Sequence, residues 1–277
     1  MTFRPERILA HDFGELRQTY DARDAILYAL GVGLGPGEED LAYLDETRLQ
    51  VLPPFAPTLA SPGMWIRDPA FGVSFDKLVH LAQDATFLSP LPSSGTVIGT
   101  AAVASLSDRG EGRGAVLVLE RAIRDAERGT LYATVRQTLL LRGDGGFGGV
   151  PAERTRRRVP ERAPDLVAST PLSRRAALIY RLSGDRNPLH LDPQFARRAG
   201  FPAPILHGLC TYATIGIAVA RACGADPSAI RRLAARFAGV VFPGDVVTVK
   251  IWREDASTIF TADVGDRTVL DDGLIEL

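Results

Sequence analysis

YRLSGDRNPLHLDPQFARRAGFPAPILHGLCTY, residues Tyr180–Tyr212, gathers a carboxylate, an amide, an imidazole and a glycine-led helix start into one short stretch. Asn187 and Pro188 separate Asp185 from His190, and a proline disfavours helix in the residue before it. The segment therefore reads as a loop that points Asp185 and His190 at a common spot. Beyond it, GLCTYATIGIAVARA (residues 208–222) has no proline and is apolar nearly all round, so it predicts a buried helix and not an amphipathic surface one. Such a helix has to be wrapped, and a curved antiparallel sheet is one of the α+β layer solutions.

Working outward, RDAILYAL (Arg23–Leu30) and RAALIYRL (Arg175–Leu182) share Arg, Ala, two aliphatics, Tyr and Leu at the same spacing. Phe87 leads to Pro92 and the alternating run TVIGTAAVASL, while Phe237 leads to Pro243 and DVVTVKIW. Both pairs are about 150 positions apart, which points to two copies of one fold. Strands are predicted over Thr96–Leu106, Gly114–Ile123 and Thr130–Leu141 in the first copy, and over Gly239–Trp252, Thr258–Val264 and Thr268–Glu276 in the second. FDKLVHLAQDATF (Phe75–Phe87) is expected to be the first copy's central helix. Residues 1–150 form one unit, the Gly-, Pro- and Arg-rich stretch 151–170 a linker, and 171–277 the second unit.

Composition bounds the function. The chain has 277 residues, 45% of them hydrophobic, enough for a sizeable core. Thirty-two basic against 33 acidic residues leave a net charge of −1, so nothing global favours nucleic acid or an anionic membrane. No stretch reaches the roughly 18 to 20 apolar residues of a membrane span, and the charged N-terminus lacks the apolar core of a leader. Cys210 and Cys223 show no metal-ligand spacing and read as thiols of a reducing, cytoplasmic compartment; no metal and no cofactor are expected.

A carboxylate and an imidazole that share one water can orient and polarise it. No G-x-S-x-G elbow offers an acyl-enzyme nucleophile, so water is the expected reactant. His207-Gly208 opens the buried helix, whose first N–H groups lack internal partners and carry partial positive charge. An oxygen gaining negative charge would be stabilised there, and glycine admits a close approach.

These residues resemble the motif of the hydratase 2 family, the MaoC-like dehydratases with double hot-dog folds, two curved antiparallel sheets each with a central helix. The likeness extends to LYALGVG near residue 30, RGDGGFGG (142–149) and ARFAGVVFPGD (235–245). It implies that Asp185 and His190 are the catalytic dyad, that Asn187 supports it, and that the Gly208 N–H binds a thioester carbonyl. It further implies (R)-specific hydration of trans-2-enoyl-CoA to (3R)-hydroxyacyl-CoA, an acyl-CoA partner and a homodimer. Alternatives are a dehydratase of branched or dicarboxylic acyl-CoA or of 3-hydroxyacyl-ACP, and a non-catalytic CoA-binding module. The first copy should be non-catalytic, since the position matching Asp185 falls at Gly33 with no following Asn or His.

Substrate contacts are assigned to Ser183, His207 and Arg236, with Ser183 and His207 also suited to bracing the loop. His80 reads as structural. The glycines 31, 33, 35 and 37 follow a helix-like segment and not a strand, so they are not a dinucleotide loop. Arg154, Arg156, Arg157 and Arg158 read as a solvated charge run.

Overall fold

Alternation of apolar and polar residues is clearest in the later part of each half of the chain, and that is where the long strands lie. The computed structural model describes residues 2–149, 157–254 and 257–277. The first half holds β1 (Glu15–Tyr20), β2 (Leu78–Phe87), β3 (Gly95–Asp108), β4 (Ala115–Asp125) and β5 (Leu131–Leu141). The second holds β6 (Leu166–Pro171), β7 (Arg232–Phe237), β8 (Val246–Arg253), β9 (Thr258–Val264) and β10 (Arg267–Glu276). They join in one ten-stranded sheet ordered β1-β3-β4-β5-β2-β7-β10-β9-β8-β6, with every pairing antiparallel.

Read inward from either edge, the strand order is the same: first, third, fourth, fifth, second. The duplication suggested by the two short sequence matches is therefore present in the topology. The copies meet where β2 pairs with β7, from Ala82↔Arg236 to Thr86↔Arg232. On one face of this junction Arg232 grips Asp84 with two hydrogen bonds, Nε to Oδ1 at 3.0 Å and Nη2 to Oδ2 at 2.9 Å. Such fork-to-carboxylate pairing fixes orientation as well as adding energy.

Among the described residues five α-helices accompany the sheet: α1 (Pro5–Leu9), α2 (Ala22–Gly31), α3 (Ala176–Tyr180), α4 (Pro193–Arg198) and α5 (Gly208–Ala222). α5 matches the predicted buried helix, and Ile215, Val219 and Ala220 are fully buried. Burying side chains such as Ile or Val is worth about 1.5–3 kcal/mol each, so this helix anchors the second half. Gly216 lets it lie close on β7, since a Cβ there would meet Leu233 Cδ2 at 2.4 Å. The first half covers α5's other side: Cys210 Sγ donates to Gly31 O at 3.3 Å and Thr214 Oγ1 to Val32 O at 2.9 Å. α2 starts on a capping box between Asp21 and Asp24.

Three expectations are corrected. Phe75–Phe87 is not a helix: Phe75–Lys77 form a 3-10 turn and Leu78–Phe87 are β2, because this segment is the centre of the sheet, paired with β5 and with β7. Among the described residues the first half accordingly has no central helix. Where α5 sits in the second half, the first has a 3-10 segment, Pro53–Thr58, in which Pro57 would deny an α-helix a hydrogen bond. The two sheets are one continuous sheet, and β6 begins at Leu166, so the end of the expected linker 151–170 belongs to the second half. The α+β class holds.

Candidate active site

The loop after α3 is shaped by local hydrogen bonds. A 3-10 turn (Arg181–Ser183) ends at Gly184, whose φ of 121° favours glycine. Asp185 Oδ1 then accepts the Asn187 N–H at 3.1 Å, and the Asn187 side-chain oxygen accepts the Leu189 N–H at 3.1 Å. Asn187 thereby caps a turn that starts with Pro188 and ends with His190. Asn187 acts through this turn, which sets the height of His190 relative to Asp185.

His190 Nε2 lies 3.9 Å from Asp185 Oδ2, beyond a direct hydrogen bond and of a width that one water can span. The two environments differ. The Asp185 side chain is 51% exposed, while that of His190 is 9% exposed. His190 Nδ1 donates to Ile205 O at 2.9 Å, which fixes the tautomer and leaves the Nε2 lone pair facing Asp185. Burial lowers the pKa of His190, and the Ile205 carbonyl and Asp185 only partly offset it, so the ring is neutral near pH 7.

His207 supports the loop from beneath. Its Nε2 donates to Asp185 O at 3.1 Å, and its ring stacks on His190 with centroids 3.7 Å apart. Gly208 follows as the first residue of α5. A Cβ at 208 would lie 3.2 Å from Phe237 Cε1, so the ring of Phe237 closes one side of the glycine. Against Phe237 packs His80 of β2, ring centroids 4.7 Å apart. Burial drops the His80 pKa to about 4 against the pull of Asp185, which lies within electrostatic reach.

A neutral imidazole facing a carboxylate across a water-sized gap, beside a glycine-led helix start, defines the site. The sequence profile of the MFE-2 hydratase 2 N-terminal domain matches residues 18–143, and that of the MaoC like domain matches residues 156–273. The chain is 43% identical to 3-hydroxyacyl-thioester dehydratase Y of Mycobacterium tuberculosis, over 92% of this chain and 91% of that protein. The chain belongs to the MaoC-like dehydratase and hydratase 2 family. It is also 35% identical to the peroxisomal enoyl-CoA hydratase 2 of Arabidopsis thaliana, over 96% and 92% of the two chains. The solved MaoC-like dehydratase of Phytophthora capsici superposes with a TM-score of 0.84 at 27% identity, covering 99% of this chain and 97% of that one. The fold is the double hot-dog, and this family member is a hydro-lyase.

Within this MaoC-like site, the loop residues Asp185, Asn187 and His190 come together with His207 and Gly208, as the sequence suggested. Other assignments are revised. His207 is 1% exposed and its Nε2 donates to Asp185 O, the bracing of the loop that the sequence also allowed. Ser183 turns its Oγ inward, where it finds no hydrogen-bond partner among the described residues. Arg236 pairs with Asp271, and strand alternation sets it on the face of β7 opposite Phe237, away from the dyad. Arg154 and Arg156 lie outside the described residues, while Arg157 donates to Asp272 O at 2.7 Å.

Sequence reasoning missed His80 as part of the site's wall, because β2 brings it there across the junction from the other half. Its only sequence signal was an imidazole in an otherwise apolar run. Asp185, His190 and His207 are also the one group among the described residues compact enough to ligate a cation, with donor atoms within 4.8 Å. Among the described residues no helix is long and apolar enough to cross a membrane.

Proposed function

We propose that this hydro-lyase adds water reversibly to a trans-2-enoyl thioester, with coenzyme A as the carrier, giving the (3R)-hydroxyacyl product. The observation that carries the reading is the 3.9 Å gap between His190 Nε2 and Asp185 Oδ2, set beside the start of α5. The names of the relatives point the same way: one is a dehydratase of 3-hydroxyacyl thioesters, the other an enoyl-CoA hydratase.

In this reading Asp185 holds a water while His190 Nε2 accepts one of its protons. The water oxygen bonds to C3, the C2=C3 electrons move to the thioester oxygen, and the enolate rests against the Gly208 N–H. The imidazolium then returns its proton to C2 from the same face, which makes the addition syn and restores the dyad. A positioned acid/base contributes about 10²–10⁴-fold and one oxyanion donor about 10²–10³-fold. Neither alone accounts for a hydratase.

Purified protein and crotonyl-CoA test this directly. The expected result is loss of the conjugated thioester absorbance and a 3R product on chiral analysis. A 3S product, or no turnover with enoyl-CoA of any length, overturns it.

A further inference from the structure

Beneath Leu209, the residue after Gly208, the first half holds a cavity of about 40 Å³ where Gln83, Arg121 and Gln137 stand beside Pro57, Leu119 and Val135. The strand register explains its chemistry. Gln83 pairs with Gln137 and Gln137 with Leu119, while Val135 in the adjoining row pairs with Arg121, so two amides and a guanidinium share one face of β2, β5 and β4. This is the inward face, where a sheet of this kind would ordinarily place aliphatics.

Arg121 is 6% exposed. Nη2 donates to Pro57 O at 2.6 Å and Nη1 to Ala60 O at 3.4 Å, which tethers the proline segment that replaces a central helix. Its Nε is buried with no hydrogen-bond partner, and no carboxylate among the described residues pairs with it. A buried cation without a counter-charge is costly, and an anion brought to it recovers much of that cost. Gln83 is 2% exposed, and Leu209, which lines the cavity, directly follows Gly208, so the cavity lies next to the start of α5.

We propose that this cavity seats a carboxylate at the far end of the acyl chain, held by Arg121 Nε and the amides of Gln83 and Gln137. The preferred thioesters are then those of dicarboxylic acids. This rests on the acyl-thioester reading above and adds a selectivity to it. The cavity has room for a group of few atoms: Leu119, Val135 and Leu209 would pack on the last methylenes, while the guanidinium and amides would meet the carboxylate.

The test is direct binding, which needs no turnover. Saturated CoA thioesters of a chain-length series are titrated by calorimetry in pairs, one ending in a carboxylate, one in a methyl group, with an ω-hydroxy arm to separate charge from hydrogen bonding. At the best-fitting length the carboxylate should bind at least about tenfold tighter, as expected for hydrogen bonds to a charged group, with the ω-hydroxy thioester in between. Arg121→Met should abolish the preference. Where that variant does not fold, Arg121→Lys, which keeps the charge and loses the fork, and Gln137→Leu on the facing wall should each weaken it. A wild-type preference for methyl-ended chains at every length, or an unchanged preference in the variants, overturns the proposal. Absence of hydration with this preference intact would instead overturn the hydratase reading alone.

Discussion

The imidazoles of His190 and His207 stack with centroids 3.7 Å apart and planes 27° from parallel, a geometry that disfavours charging both rings. Burial first, and the neighbouring His190 second, hold His207 down to about 4. Both rings thus stay uncharged at neutral pH, one spending Nδ1 on Ile205 O and the other Nε2 on Asp185 O.

This has a consequence for stability. A histidine whose folded pKa lies below its unfolded value takes up its proton first in the unfolded chain, so stability is full above about pH 6.5 and declines as pH falls toward about 4. For His207 the shift is worth up to about 3 kcal/mol. Denaturant midpoints should therefore drop between about pH 7 and about pH 5, and His80→Phe should flatten the dependence. Equal midpoints at both pH values would contradict a neutral stacked pair.

Replacing either dyad member should separate chemistry from folding. Asp185→Asn and His190→Gln are each expected to lower kcat/KM by about 10²–10⁴-fold. Because Asp185 is half exposed, its replacement should leave Tm nearly unchanged. Near wild-type rates in either variant would remove the dyad assignment.

Gly208 is constrained by Phe237. A Cβ there must push the ring back by a few tenths of an ångström. Gly208→Ala should cut kcat by about tenfold to a hundredfold, in the range of a misplaced oxyanion donor. Adding Phe237→Leu should restore part of the rate, and a double variant no better than the single one would show that the ring is not the obstacle.

At Gly216 two effects oppose each other. Alanine gains about 1 kcal/mol of helix propensity over glycine. Its methyl, however, would lie 2.4 Å from the end of Leu233, which is fully buried with little freedom to swing away. Overpacking costs about 1–3 kcal/mol, so Gly216→Ala should be net destabilising, by about 1 kcal/mol, in thermal unfolding. A rise in Tm would mean that α5 can lift off β7 without penalty.

Much of this was legible because it is local. The Asp185-Asn187-His190 loop is held by hydrogen bonds among near neighbours, and the apolar run Gly208–Ala222 has the bounds of α5. β9 likewise spans the Thr258–Val264 read from alternation. The segment Phe75–Phe87 was not legible, since short apolar runs suit a helix or a buried strand equally well until pairing partners decide. Those partners, β5 and β7, are distant in sequence. The same distance hid His80 from the site. Arg121 gave no signal at all: an arginine next to Glu120 on β4 reads as surface, and only the register turns it inward.

The β2–β7 junction has an evolutionary consequence. In an assembly of two identical half-length subunits, every substitution appears at both sites, so a change that opens space in one subunit damages the chemistry of the other. Fusing the halves through a shared strand pair lifts that symmetry. Pro57 could then interrupt a helix in one copy while the other kept a full helix from Gly208 to Ala222. The two halves were thereby free to diverge in what they place against the sheet.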